Sequence, residues 1–352
     1  MLKSLALAHF RSHANDSFRF SDGLTVITGP NGIGKTNILE AIYIQARGSS
    51  FRGSDSEIVA HGEDWYKISA KYDAGQLRVV RFEPEKISAK KTFEILGVKK
   101  QRLAPTQKMP IVLFEPEDLR LIHGSPSRRR EFLDRMCGAL DPHYMTLLHR
   151  YERSLLQRNN LLKTGIASDD ELFAWEVGLA QTGAAIIKAR RELVWHINER
   201  ITDVYCSIAD IKSGRAPESV RIDYLFYEGQ TSLEQQLLSL LYVSRYSDRL
   251  RGFTSVGPHR HDIVLTLGDT PADESASRGE TRSIILALKF IEVALLQERF
   301  DEPPLLLLDD VFSELDSTRR AALLELAHTV QTIITTTEVR EDMPKNALLI
   351  SL

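Results

Sequence analysis

The period of the apolar positions changes twice along this 352-residue chain. In the first part, "LKSLALAHF", "DSFRF" and "GLTVITG" hold apolar residues at period two or in compact runs, which predicts strands separated by polar turns. "YKISAKY", "LRVVRF" and "TFEILGV", between residues 66 and 98, read as further strands. Between them, "NILEAIYIQA" places Ile38, Leu39, Ile42 and Ala46 at helical spacing. From about Glu115 long helical patterns take over and run to about residue 250, with a break at Gly124–Pro126 where Ser125 can cap and Pro126 can occupy a first turn. Within them, Leu172, Trp175, Leu179, Thr182, Ile186, Ala189, Leu193, Ile197, Ile201, Val204 and Ile208 form one apolar seam without a proline. Its heptads are imperfect, which favours a helix packed inside a lobe over a projecting coiled-coil arm. "SVRIDYLFY" adds a strand to that lobe.

The last hundred residues return to strand–helix alternation: "HDIVLTL", a helix from about Glu280 to Arg299, the strand "PLLLLDD", a helix after Asp316 and the strand "QTIITTT". The simplest topology makes one sheet from both ends of the chain, with the helical lobe inserted between them. The expectation is an α/β domain formed by residues 1–110 and 251–352, interrupted by a mainly helical domain over 111–250. Length alone supports two lobes.

A net charge of −3 excludes a surface that grips nucleic acid everywhere, so any such contact must be local. The two cysteines, Cys137 and Cys206, stand far apart with no second ligand nearby, which points to buried thiols and not to a disulfide framework or a zinc site. Neither a signal peptide nor a membrane-length apolar run is present, so a cytoplasmic protein without a membrane partner is expected.

Candidate chemistry sharpens this outline. Gly29, Pro30, Asn31, Gly32, Ile33, Gly34, Lys35 and Thr36, followed by Asn37, fit G-x-x-x-x-G-K-[ST] between a strand and a helix. Glycines admit phosphates to the backbone N–H groups, Lys35 reaches the β and γ phosphates, and the Thr36 hydroxyl ligates Mg²⁺, so ATP with Mg²⁺ is the expected ligand. The acidic partner of such a loop comes much later: four leucines drive a buried strand ending in Asp309 and Asp310. Asp309 suits the metal and Asp310 the attacking water, although a strand ending in a capping aspartate has the same letters. Ser277 and Glu280 form S-x-x-E ahead of an apolar helix: a capping box, and equally a helix start that can take an anion.

Taken together, the phosphate loop, "SRGETR" at 277–282 and "LLLLDDVFSELDSTRR" resemble the ABC-type ATPases. "FRSH" at 10–13, "LFEPEDLRLIHGSPSRRREFLD", "GPHRHD" at 257–262 and "ITTT" at 334–337 narrow the resemblance to the SMC-like DNA repair ATPases over the whole chain. That resemblance implies an ATP-dependent homodimer sandwiching two nucleotides. Lys35, Thr36 and Asp309 of one subunit would face Ser277 and Gly279 of the other, with Asp310 and Asp316 near the attacking water. It also implies that Arg11 contacts nucleotide, although a surface ion pair is an equal reading. Thr336 or Thr337 would occupy the place of the transporters' switch histidine. Slow, DNA-stimulated ATP hydrolysis, binding of duplex DNA and of its junctions with single strands, and loading of RecA with RecO and RecR complete the implied picture. Two positions depart from the family pattern: Glu280 stands where glutamine is usual, and His261 interrupts "HRDD". No glutamine of a γ-phosphate-sensing loop can be placed.

Lys90, Lys91, Lys99, Lys100, Arg128, Arg129 and Arg130 are candidate phosphate-backbone contacts by residue type, with solvated or ion-paired surface as the competing reading. Two other functions share the phosphate loop. An ATP-binding subunit of a transporter would need membrane partners, and a small-molecule kinase would leave the signature serine without purpose.

Overall fold

The computed structural model describes residues 1–86, 90–209, 219–226, 229–338, 344 and 346–352. In chain order the first elements are β1 (Leu2–Phe10), β2 (His13–Arg19), β3 (Leu24–Thr28), α1 (Lys35–Arg47), α2 (Asp55–Ile58), β4 (Tyr66–Tyr72), β5 (Leu77–Phe82), β6 (Lys91–Ile95), β7 (Val98–Lys100) and β8 (Ile111–Phe114). Next come α3 (Pro126–Leu140), α4 (Tyr144–Thr164), α5 (Asp169–Asn198), α6 (Ile201–Ile208), β9 (Val220–Leu225) and α7 (Leu233–Arg251). The chain continues through β10 (Asp262–Leu267), β11 (Thr270–Pro271), α8 (Ala272–Ser275), α9 (Arg278–Arg299), β12 (Leu305–Asp309), α10 (Ser317–Ala327), β13 (Thr332–Thr336) and β14 (Leu348–Ser351).

Contacts divide the chain into two units, the first chiefly Met1–Leu119 with Lys289–Leu352, the second the described residues of Arg120–Ser207 and Ile211–Leu288. In the first unit, a parallel sheet of order β14-β3-β13-β12-β8 combines strands from both ends of the chain. An antiparallel sheet, β2-β1-β4-β5-β6-β7, lies in the same unit. Helix α1 packs against strands of both sheets, which is why most of it is buried, Ile38, Leu39, Ala41, Ile42, Ile44 and Ala46 together with the polar Lys35, Glu40 and Gln45. Its polar interior residues are satisfied, Gln45 donating to the Ile68 carbonyl at 2.9 Å. The Gln331 side-chain amide accepts from the Leu2 N–H at 2.8 Å and donates to the carbonyls of Leu2 and Ser21, tying β1 to the approach of β13.

The second unit packs α5 against α3, α4, α7 and β9. The seam holds, with Leu172, Leu179, Ile186, Leu193, Ile197, Ile201 and Ile208 buried, but it spans two helices because the chain breaks between Asn198 and Ile201. Charged residues also lie on it. Arg158, fully buried, donates to Glu176 at 3.0 and 3.2 Å, to Asp248 at 2.8 Å, to the Thr254 hydroxyl and to the Leu241 carbonyl. Arg245 donates to the same Glu176 at 2.6 Å. Arg190 holds Asp134 at 2.7 Å and the Pro258 carbonyl.

Several sequence expectations need correction. The boundary at 110/111 cuts β8 away from its sheet: Ile111–Phe114 pairs in parallel with β12, because its four apolar residues are a buried strand and not the start of the lobe. "HDIVLTL" joins no ATPase sheet. It forms β10, pairs antiparallel with β9 and belongs to the second unit, in a sheet of order β11-β10-β9. "TFEILGV" is a hairpin and not one strand, since Leu96 and Gly97 both take positive φ (51° and 81°), the geometry of a two-residue type I′ turn. Cys137 is buried as expected, whereas Cys206 is half-buried. The expected strand at "SVRIDYLFY" appears as Val220–Leu225, its Tyr227 lying outside the described residues.

Removing Arg158 leaves two buried carboxylates without their shared cation, so Arg158→Met should lower unfolding free energy by about 3–5 kcal/mol, read by urea titration. A second expectation concerns pH. Burial lowers His259 and His261 from the ordinary 6.5 to about 4. Between these values the unfolded chain binds more protons than the folded one, so stability should fall as pH drops from 6.5 toward 4 and be flat, as far as these groups go, above 6.5. Thermal midpoints across that range measure it.

Candidate nucleotide site

A parallel sheet brings the carboxyl ends of its strands to one edge, and the phosphate-loop residues follow the end of β3 there. The loop itself needs glycine: Gly32 and Gly34 hold φ of 82° and 115°. A Cβ on Gly34 would sit 2.5 Å from Ser12 Oγ and 2.8 Å from His13 Nε2. Those neighbours explain part of "FRSH". His13 is buried, with Nε2 3.1 Å from the Gly34 carbonyl oxygen and Nδ1 2.7 Å from Asp16 Oδ2, and Ser12 Oγ accepts from Asn37 Nδ2 at 3.0 Å. The β1–β2 turn thus braces the glycine that opens α1.

Lys35 folds over the loop, donating from Nζ to the carbonyls of Gly29 at 2.7 Å and Pro30 at 3.0 Å. Thr36 Oγ1 donates to Asp309 Oδ1 at 2.8 Å. The structure therefore joins the phosphate loop to the acidic strand tip directly, across residues from opposite ends of the chain. Asn31 and Ile33 are exposed on the loop. Asp310 follows Asp309 with φ of 51° and ψ of 23°, a left-handed conformation uncommon outside glycine and aspartate or asparagine.

Thr335 is the residue that sequence reading missed. "ITTT" directed attention to Thr336 and Thr337, but Thr336 Oγ1 donates to the Glu338 carbonyl at 3.1 Å. It is Thr335, fully buried on β13, whose Oγ1 donates to Asp309 Oδ1 at 2.7 Å and accepts from the Asp310 N–H at 3.1 Å. Alternation is the signal that could have found it: within a parallel sheet, Thr335 stands opposite Asp309 in register.

Other candidates are placed as follows. Arg11 lays its guanidinium on the buried Glu40 carboxylate, Nε at 2.9 Å and Nη2 at 2.8 Å, and donates from Nη1 to the Glu57 carbonyl. This pairing pushes the Arg11 pKa up from its usual value, chiefly through the hydrogen bonds to Glu40. Asp316 caps α10, accepting from the Arg319 N–H at 3.0 Å and pairing with the Arg319 side chain. Ser277 and Glu280 close the capping box reciprocally, Ser277 N donating to Glu280 Oε2 at 2.8 Å and Glu280 N to Ser277 Oγ at 3.3 Å, with Gly279 in the first turn of α9. Ser277 and Gly279 belong to the second unit, the phosphate loop and Asp309 to the first.

Three basic candidates have internal partners. Lys91 pairs with Asp55, Arg129 makes two hydrogen bonds to Asp262 at 2.6 and 2.8 Å, and Arg130 donates to the His261 carbonyl. His261, the departure in "GPHRHD", has its Nδ1 2.9 Å from the Tyr224 hydroxyl and its ring against Tyr224 and Phe226. Lys90, Lys99 and Lys100 remain exposed.

The donor set around Asp309 suits Mg²⁺. A hydroxyl and a carboxylate supply hard oxygen, and among the described residues no cluster of three or more His, Cys, Asp or Glu side chains forms a closed metal cage. Magnesium typically keeps several waters and takes one or two protein ligands beside substrate phosphates.

Comparison with known proteins places nearly the whole chain in a family. The family described as RecF/RecN/SMC N terminal domain matches residues 1–349. The chain is 36% identical over 345 residues to the DNA replication and repair protein RecF of Deinococcus deserti, covering 96% of this chain and 90% of that protein. A solved structure described as the recombination mediator protein RecF-ATPrS in the RecFOR pathway superposes with a TM-score of 0.87 at 30% identity, covering 98% of this chain and 94% of the other. A second, described as RecF-ATP in the same pathway, gives 0.85 at 29% identity, covering 97% and 93%. With a match over nearly the whole length and an ABC/SMC-like fold, the chain belongs to the RecF family of DNA replication and repair proteins.

Proposed function

We propose that the chain is an ATP-driven DNA clamp of recombinational repair: ATP closes a homodimer on duplex DNA and its junctions with single strands at gaps, and slow hydrolysis reopens it. The observation that carries this reading is the bond from Thr36 to Asp309, which supports a phosphate and metal site in the first unit. Ser277, capping α9 in the second unit, supplies what that site lacks, an anion-binding helix start for the γ-phosphate of a nucleotide held by another copy.

In this mechanism Lys35 exchanges the Gly29 and Pro30 carbonyls for the β and γ phosphates, and the backbone N–H groups of the loop take the remaining oxygens. Thr36 and Asp309 are the residues that would hold Mg²⁺, which would supply positive charge against the β and γ phosphates. Asp310 orients a water against the γ-phosphorus and accepts its proton as the bond to the bridging oxygen breaks, leaving ADP and phosphate. Asp316 sits in the D-loop beside that water in the closed dimer, and Arg11 leaves Glu40 to touch nucleotide. Exposed Lys90, Lys99 and Lys100 suit salt-sensitive contacts to phosphate, whose weak individual strength doubles in a dimer. Solved relatives described as belonging to the RecFOR pathway support RecO and RecR as partners, and RecA as the protein loaded rests on the family resemblance alone.

Sedimentation with labelled duplex DNA tests the proposal. ATP should produce a DNA-bound dimer, Lys35→Met should abolish it, and Asp310→Asn should prolong it. A monomer free of DNA in every case would refute the clamp. Gly34→Ala should lose nucleotide binding and lower the melting temperature, since its Cβ would collide with Ser12 and the buried His13 and its φ of 115° strains any residue with a side chain. Glu280→Gln keeps an oxygen for the Ser277 N–H while removing a negative charge from the face offered to phosphate. It should raise the dimer fraction at limiting ATP by about fivefold, equivalent to roughly 1 kcal/mol.

A further inference from the structure

Thr335 lies one strand away from both acidic residues of the site, and no part of the mechanism above uses it. Its hydroxyl makes two hydrogen bonds, both to the acidic residues. The single proton goes to Asp309 Oδ1 at 2.7 Å, and one lone pair takes the Asp310 N–H at 3.1 Å. The Thr335 backbone carbonyl also accepts from the Asp310 N–H at 3.1 Å, so one residue grips the peptide at which the chain turns left-handed. Thr335 is fully buried and fixed in β13 by pairing on both sides, opposite Asp309 on one strand and Ile27 on the other.

Thr36 makes the other bond to Asp309 Oδ1, at 2.8 Å. The two hydroxyls differ in their surroundings. Thr36 stands at the mouth of the phosphate loop, where in the proposed site a lone pair of its oxygen would turn to the metal while its proton stays with the carboxylate. Thr335, fully buried on β13, serves only the Asp309 carboxylate and the Asp310 N–H.

We propose that Thr335 is a positioning residue for the metal site: its hydroxyl fixes the Asp309 carboxylate through Oδ1, leaving Oδ2 for the metal's water, and anchors the Asp310 backbone so that both acids keep one mutual orientation. Groups behind a metal's immediate ligands commonly change metal affinity by about 10–100-fold when removed. The inference rests on the phosphate-site reading of the proposed function.

The test uses the full chain and a fluorescent ATP analogue, titrated with MgCl₂ and separately in EDTA. Thr335→Val keeps the β-branched shape and removes the hydroxyl. It should leave metal-free nucleotide affinity unchanged and raise the Mg²⁺ needed for half-maximal binding by about tenfold. Thr335→Ser restores the hydroxyl and should return that value to within about twofold of wild type, with thermal midpoints recorded beside each variant. If the valine variant titrates with Mg²⁺ like wild type, or the serine variant behaves like valine, the positioning role is overturned. If wild type itself binds no nucleotide, with or without Mg²⁺, the phosphate-site reading fails, and the inference with it.

Discussion

The hydrogen bond between Thr36 and Asp309 sets the architecture, because it requires two strands from opposite ends of the sequence to end at the same edge of one sheet. Parallel pairing meets that requirement: β3 delivers the loop, β12 delivers the carboxylate, and β13 lies between them in register. β13 fills the one-strand separation, and from it Thr335 donates its hydroxyl proton to Asp309. Helix α1 then has strands of both sheets against it, and the burial of most of its residues, polar ones included, follows. The long insertion between loop and acid costs this geometry little, because loop-closure entropy rises only slowly with the number of residues enclosed.

Within the second unit, specificity rests on charge as much as on apolar area. Arg158 and Arg245 share Glu176, and Arg158 also holds Asp248, so two cations meet two anions in a space that water does not reach. Such groups tolerate no near-miss in helix register, since a slip by one residue would bury unpaired charge. The "GPHRHD" segment joins this scaffold. Its Asp262 takes Arg129, its Pro258 carbonyl takes Arg190, and His259 lies 2.5 Å from the Tyr151 hydroxyl.

Much of this was legible in the letters, for identifiable reasons. The phosphate loop, the acidic strand and the capping box are local patterns whose residues interact with near neighbours or with a fixed partner type, and the structure brings Lys35, Thr36 and Asp309 to one place. Partner choice across the chain was not legible. Nothing in "RRR" separates Arg129, bound to Asp262, from an arginine free to meet DNA, and nothing in "ITTT" distinguishes Thr335 from the two threonines after it. The same limit explains the displaced boundaries. β8 and β10 have apolar patterns that any sheet could accept, and only the pairing of β8 with β12 and of β10 with β9 decides their units.

The order of the parallel sheet carries a consequence for biosynthesis. β3 has two neighbours, β13 and β14, and both lie in the final stretch of the sequence. On the ribosome the apolar strand "LTVIT" and the phosphate loop behind it emerge early, and the chain then extends through the whole helical unit before either neighbour exists. The helices, rich in local contacts, have the time and the means to form first, whereas the nucleotide sheet must wait with an unpaired strand on both sides. Nascent chains of this protein therefore spend most of their synthesis with the ATPase core as their exposed, aggregation-prone part, and its closure around β3 is among the last events of folding.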